Sequence, residues 1–198
     1  VVALAGDLRD DGVVVEHLDL GGGLGIPYDG ELVPAASVYA AALTEVVEPS
    51  GLELAIEPGR AIVGPAGALL ASVVDVKPKL GAGWFVVLDA GMSELLRPAL
   101  YGAYHRVVPV EESIAERVDC DVVGPICETS DVFGSGRKLP KPVVGTVMAV
   151  LDVGAYGSAM SSNYNRHALP AEVMVDDGEW RVVRRRQTID DQLACEQE

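Results

Sequence analysis

Val13-Val14-Val15-Glu16-His17-Leu18-Asp19-Leu20-Gly21-Gly22-Gly23-Leu24-Gly25 is a β-branched, Leu-rich run that stops at a cluster of glycines, a pattern that predicts a buried strand feeding a glycine loop. Downstream of it, Ala35, Val38, Tyr39, Ala42, Leu43, Val46 and Val47 recur at helical spacing between Pro34 and Pro49, which predicts an amphipathic helix with a proline marking each end. Leu52-Glu53-Leu54-Ala55-Ile56 then alternates toward Glu57-Pro58-Gly59-Arg60. Strand, helix, strand is the repeating unit of a parallel α/β sheet or barrel. One unit does not close an eight-stranded barrel, which takes typically ~200 residues or more. The opening Val1-Val2-Ala3-Leu4 has no initiating Met and no signal-peptide pattern, so further barrel is expected upstream of a cut start.

From about Val63 the texture changes to extended runs: Ala66 to Val76, Trp84 to Leu88, His105 to Val110, Arg117 to Val123, Val143 to Val153 and Ala171 to Arg184. The last contains Asp176-Asp177-Gly178, a hairpin signal because Asp-Gly readily takes the positive φ angles of a tight turn. A short terminal helix is expected from about Thr188. The expected organisation is therefore a partial α/β unit over 1–62 and a β-rich domain over 63–198. Charge divides the same way, with 11 acids and 2 bases in 1–62.

Across 198 residues, 49% hydrophobic and 23% charged, the composition is that of a globular chain able to build a core and excludes disorder. A net charge of −15 argues against nucleic acid or an anionic membrane surface as the partner. No apolar stretch approaches the ~20 residues of a membrane span. Cys120, Cys127 and Cys195 fit neither a disulfide framework nor a zinc site, so a reducing cytoplasm is expected and no metal.

Two features could carry chemistry. Glycines after a strand let backbone N–H groups crowd around an anion without Cβ interference; a tight turn with no ligand is the plainer alternative. Glu57-Pro58-Gly59-Arg60 places a carboxylate and a guanidinium at the C-terminal end of a strand, where α/β barrels keep their active sites. His17, His105 and His167 have no second ligand at metal spacing and read as structural. Arg184-Arg185-Arg186 reads as an exposed strand edge facing carboxylates.

These two features, followed by Leu96-Arg97-Pro98-Ala99-Leu100-Tyr101, then Gly124-Pro125-Ile126-Cys127-Glu128-Thr129-Ser130-Asp131, then Gly154-Ala155-Tyr156-Gly157-Ser158, resemble in order the motifs of diaminopimelate decarboxylases. The likeness runs from Leu18 to about Asn165 and extends to the tail Arg184 to Asp191. It implies a pyridoxal 5'-phosphate enzyme whose (β/α)8 barrel is followed by a β-rich, sandwich- or barrel-like domain. It also implies a homodimer in which both subunits furnish each site, and a reaction that turns meso-2,6-diaminopimelate into L-lysine and CO2, the last step of lysine biosynthesis. By resemblance Gly23, Glu57, Pro58, Gly59, Arg60 and Tyr156 hold the cofactor. Arg60, Arg97, Tyr101, Glu128 and Tyr156 contact substrate, and Cys127 is the proton donor, delivered from the neighbouring subunit.

The chain departs from that pattern in one respect. The family tethers its cofactor through a Schiff-base lysine on an early barrel strand, whereas the lysines here are Lys77, Lys79, Lys138 and Lys141, all in the β region. The expectation is therefore a C-terminal portion, inactive by itself. Alternatives are a decarboxylase of the same fold acting on ornithine, arginine or a carboxylated polyamine, and a non-catalytic dimerisation or binding remnant.

Overall fold

A computed structural model describes residues 1–196. It begins with a helix, α1 (Val2–Asp10), that lies outside the elements expected from sequence. Gly12 sits in the left-handed region at φ +83°, and the N–H groups of Gly12 and Val13 donate back to Arg9 and Leu8, the usual way a helix end satisfies its last carbonyls. That exit consumes Val13 to Val15, so the predicted strand shortens to β1 (His17–Asp19).

The helix expected between the two prolines is α2 (Ala36–Val47), followed by a 3₁₀ turn (Glu48–Ser50) that Gly51 ends at φ +67°. Then comes β2 (Glu53–Ala55), parallel to β1 with Leu18 opposite Leu54. Ala5, Leu18, Val47 and Leu52 form a small core under this pair. The helix is less buried than its pattern predicts. Val38 and Val46 are each 60% exposed and only Val47 is fully buried, because two three-residue strands cover little of the helix.

After α3 (Gly59–Val63) the chain enters a six-stranded, barrel-like sheet. Its strands are β3 (Ala68–Pro78), β4 (Trp84–Leu88), β5 (Val107–Pro109), β6 (Arg117–Val123), β7 (Val132–Pro140) and β8 (Val147–Leu151), in the spatial order β5-β8-β3-β4-β6-β7. β3 holds the sheet together: Ala68 to Ser72 pair with β8, and Val73 and Asp75 to Pro78 pair with β4 across an irregularity at Val74. Such a break bends a strand and strengthens its twist. Inside lie Val73, Val86, Leu88, Leu95, Cys120, Val122, Phe133, Met148 and Val150. β7 was not predicted, since Gly134-Ser135-Gly136 interrupts its apolar alternation, yet Phe133 and Leu139 anchor it in the core.

Between β4 and β5 a short helix, α4 (Arg97–Tyr101), packs on β7. The Asp-Gly hairpin forms as read, joining β9 (Glu172–Asp176) to β10 (Glu179–Arg184), with Asp177 and Gly178 both at positive φ. α5 (Ile189–Leu193) starts at Thr188 with a reciprocal cap between Thr188 and Asp191, each side chain bonding the other's backbone N–H. Arg184 pairs with Glu172 and Arg185 with Asp191. Among the described residues no helix is long and apolar enough to cross a membrane.

Candidate active site

The glycine loop leaves β1 and is pinned at once. Leu20 donates to the Ala55 carbonyl, Glu57 donates to the Gly21 carbonyl at 2.8 Å, and the Tyr39 hydroxyl of α2 donates to the Gly22 carbonyl. A Cβ on Gly22 would lie 2.7 Å from the Glu57 carbonyl oxygen, so only glycine permits this approach. Gly23 follows at φ +89°. Among the described residues no acceptor within the chain engages the amides of Gly22, Gly23 or Gly25, which leaves an open cradle of N–H donors suited to an anion such as a phosphate.

Glu57 stands beside that cradle on an exposed turn, where its carbonyl accepts from the Gly59 N–H at 2.8 Å. Pro58 then leads into α3, which carries Arg60. Among the described residues neither the Glu57 carboxylate nor the Arg60 guanidinium has an ion-pair partner.

The end of α3 is clasped by the turn that carries Tyr156. Val153 donates to the Gly67 carbonyl and Gly154 donates to the Gly64 carbonyl, both at 3.0 Å. A Cβ on Gly154 would sit 1.8 Å from the Val63 oxygen. Tyr156, one residue beyond Ala155, is half exposed and takes the left-handed conformation at φ +62°, costly for any residue with a Cβ. Its ring lies 5.8 Å from the Arg97 guanidinium carbon. The Gly154 turn thus links the end of α3, the helix of Arg60, to Tyr156 and, through the Tyr156 ring, to Arg97. Tyr101 lies at the far end of α4, exposed.

Arg97 itself is 7% exposed. Its Nη1 is 2.9 Å from His105 Nε2, and its guanidinium lies 4.8 Å from the centre of the Tyr28 ring. His105 and Tyr28 were not singled out as site residues from sequence. Nothing local marks them, because each becomes informative only once the fold brings it to Arg97.

Cys127 and Glu128 occupy the loop between β6 and β7, both exposed. The loop is held by Asp131, whose carboxylate accepts from the Ile126 N–H at 2.8 Å and from the Met92 N–H at 2.7 Å. Gly91 and Gly124 close around that carboxylate. Burial pushes the Asp131 carboxyl above its ordinary value, against the pull of the two N–H donors. Asp131 thereby ties the Cys127 loop to the turn that precedes α4. Glu128 accepts from the backbone and hydroxyl of Ser130 at 3.1 Å, which holds its carboxyl below the ordinary range. Among the described residues, Cys127 and Glu128 make no hydrogen bond to Glu57, Arg60, Arg97 or Tyr156.

The remaining reactive side chains are engaged elsewhere. Lys77 pairs with Asp75, Lys79 with Asp121 and Lys138 with Asp119, and Lys141 lies 4.1 Å from the centre of the Trp84 ring. None reaches the glycine cradle. Cys120 is fully buried in the sheet core, where burial raises its thiol. Among the described residues no cluster of His, Cys, Asp and Glu could hold a metal ion. Two clefts, of about 630 and about 520 Å³, open behind the Gly154 turn and beside β5, away from Glu57, Arg60 and Cys127.

A family model described as "Pyridoxal-dependent decarboxylase, C-terminal sheet domain" matches residues 13–154. The chain is 44% identical to a diaminopimelate decarboxylase of Neisseria meningitidis serogroup A, over 99% of this chain and 48% of that protein. It is 42% identical to the diaminopimelate decarboxylase of Aquifex aeolicus, over 96% of this chain and 45% of that protein. The crystal structure of diaminopimelate decarboxylase from Helicobacter pylori complexed with L-lysine superposes with a TM-score of 0.91 at 36% identity, covering 98% of this chain and 48% of that one. The chain spans about half the length of the curated relatives it matches. It belongs to the pyridoxal-dependent decarboxylase family, whose C-terminal sheet domain it carries.

Proposed function

We propose that this chain furnishes the cofactor cradle, the substrate clamp and the proton donor of a meso-diaminopimelate decarboxylase, releasing L-lysine and CO2. Residues 1–62 supply part of the cofactor-binding barrel and residues 63–198 the β domain. The observation that supports the reading is the clasp of Gly154 on the end of α3, which links the helix of Arg60 to Tyr156 and its neighbour Arg97.

Pyridoxal phosphate, when bound, supplies an electron sink for the pair left behind as CO2 departs. The chain's own residues do the rest. Amides of the loop around Gly23 and the Tyr156 hydroxyl hold the phosphate. Glu57 keeps a proton on the pyridine nitrogen. Arg60 and Arg97 grip substrate carboxylates, for which the planar guanidinium fork is geometrically matched. Tyr101 closes the substrate side, and Glu128 pairs with the ammonium of the second stereocentre, so that the carboxylate on that same carbon, which ornithine and lysine lack, is left to an arginine. The Cys127 thiol gives a proton to the carbon that has lost CO2.

The exposure of Cys127 and Glu128 on the loop between β6 and β7 is in keeping with a homodimer in which this loop completes the partner's site. The engagement of all four lysines in the sheet supports a tethering lysine supplied by sequence outside this chain, so the chain assayed alone is expected to release no CO2. A cytoplasmic enzyme of lysine biosynthesis is the setting this chemistry fits.

The test is CO2 release by the complete polypeptide from meso-diaminopimelate, ornithine, arginine and a carboxylated polyamine. Preference for diaminopimelate, with its turnover lowered by on the order of a hundredfold or more in Cys127→Ala, is the expected result. Faster turnover of ornithine, or turnover by residues 1–198 alone, would overturn it.

A further inference from the structure

Arg97 is a buried cation without a counter-ion. It is 7% exposed, and among the described residues no carboxylate lies within ion-pair distance of it. A buried charge in that condition is costly, and proteins seldom keep one unless something compensates it. What the structure places against Arg97 is neutral: the Tyr28 ring on one side at 4.8 Å, the Tyr156 ring at 5.8 Å, and the imidazole of His105 at one Nη1.

The His105 ring is itself fixed. It is fully buried, its Nδ1 lies 2.9 Å from the Leu151 carbonyl oxygen, and the Tyr28 ring meets it edge-on with centroids 5.0 Å apart. A carbonyl only accepts, so Nδ1 carries the hydrogen. In a neutral imidazole Nε2 is then a lone pair, which accepts from Arg97. Burial holds the imidazole below its ordinary value, and the Arg97 charge acts in the same direction against the Leu151 hydrogen bond. An Asp or Glu at this position would neutralise the guanidinium. A neutral histidine orients one N–H of Arg97 and leaves the charge and the other donors free.

We infer that His105 is the positioning residue of the substrate clamp: it turns Arg97, which lies against the Tyr28 and Tyr156 rings, so that the free edge of the guanidinium fork receives a substrate carboxylate. This inference rests on the reading of Arg97 as a carboxylate ligand.

The test uses the complete holoenzyme and two probes that differ by a carboxylate, L-lysine and 1,5-diaminopentane, with affinities measured by calorimetry. His105→Asn keeps a donor for Leu151 but withdraws the acceptor from Arg97, whereas His105→Gln returns an acceptor near the Nε2 position. The expected result is roughly tenfold or greater loss of L-lysine affinity in His105→Asn, unchanged affinity for the diamine, and recovery of most of the loss in His105→Gln. Long-range ¹H–¹⁵N spectra of the parent should show the Nδ1–H tautomer at His105. Equal weakening of both probes, unchanged L-lysine binding in His105→Asn, or the Nε2–H tautomer would overturn the inference. A parent that binds L-lysine no better than the diamine would instead remove the reading of Arg97 as a carboxylate ligand, and the inference with it.

Discussion

The parallel pair β1–β2 and the six-stranded sheet are built by one chain under the same rules and reach opposite degrees of completion. In the sheet, Val86, Leu88, Val122 and Met148 are wholly removed from solvent. In the pair, Leu18 is buried but Leu54 is 37% exposed and Ile56 39%. Parallel strands are stable when both faces are covered, and two strands of three residues offer too little surface to do this for themselves or for α2. Local propensity is adequate in both regions. What differs is the number of neighbours available, which makes the pair a dependent element and the sheet a self-sufficient one.

The sharpest way to break this contrast is hydrogen exchange on the chain. Amides of β3, β4, β6 and β8 should exchange on the order of a thousandfold more slowly than those of α1, β1 and β2, since only the former need a global opening. Equal protection would mean that the pair is held by the sheet after all. Next in size is Gly154→Ala, which forces a methyl toward the Val63 oxygen at the junction of the two regions. It should cost about 3 kcal/mol in denaturant melts, and a cost below about 1 kcal/mol would show that the clasp yields freely.

The smallest expected effect is electrostatic and confined to the sheet side. His105 faces Arg97, Arg137 and Asp152 as well as the Leu151 carbonyl, and its folded value lies below the ordinary 6.5. As pH falls below 6.5 the unfolded chain therefore takes up this proton first. The stability that neutral His105 contributes is complete above that pH and drains as pH falls through the folded value, at up to about 1.4 kcal/mol per pH unit. Urea melts at several pH values should show a shallower acid loss in His105→Gln, and identical profiles would contradict this assignment.

Much of the frame was legible from sequence because its signals are local. The prolines flanking α2, the Asp-Gly of the β9–β10 hairpin and the β-branched runs of β4 and β6 each act within a few residues. α1 was missed because nothing in Val2 to Asp10 caps its start, and β7 because its glycines hid a strand anchored at Phe133 and Leu139. The motif residues Glu57, Arg60, Arg97, Cys127, Glu128 and Tyr156 could be picked out by their order along the chain. Their grouping could not, since it depends on contacts such as Gly154 with Val63 and Asp131 with Met92, whose partners lie far apart in sequence. His105 illustrates the limit: a lone histidine reads as structural until the fold shows which cation it faces.

The left-handed backbone of Tyr156 gives the molecule an evolutionary direction. Glycine there would relieve roughly 1 kcal/mol of backbone cost, and asparagine part of it. A lineage selected only for heat resistance would therefore drift away from tyrosine at this position, trading the phenol for an easier turn. Wherever tyrosine persists in descendants of this sequence, something other than stability is holding it there.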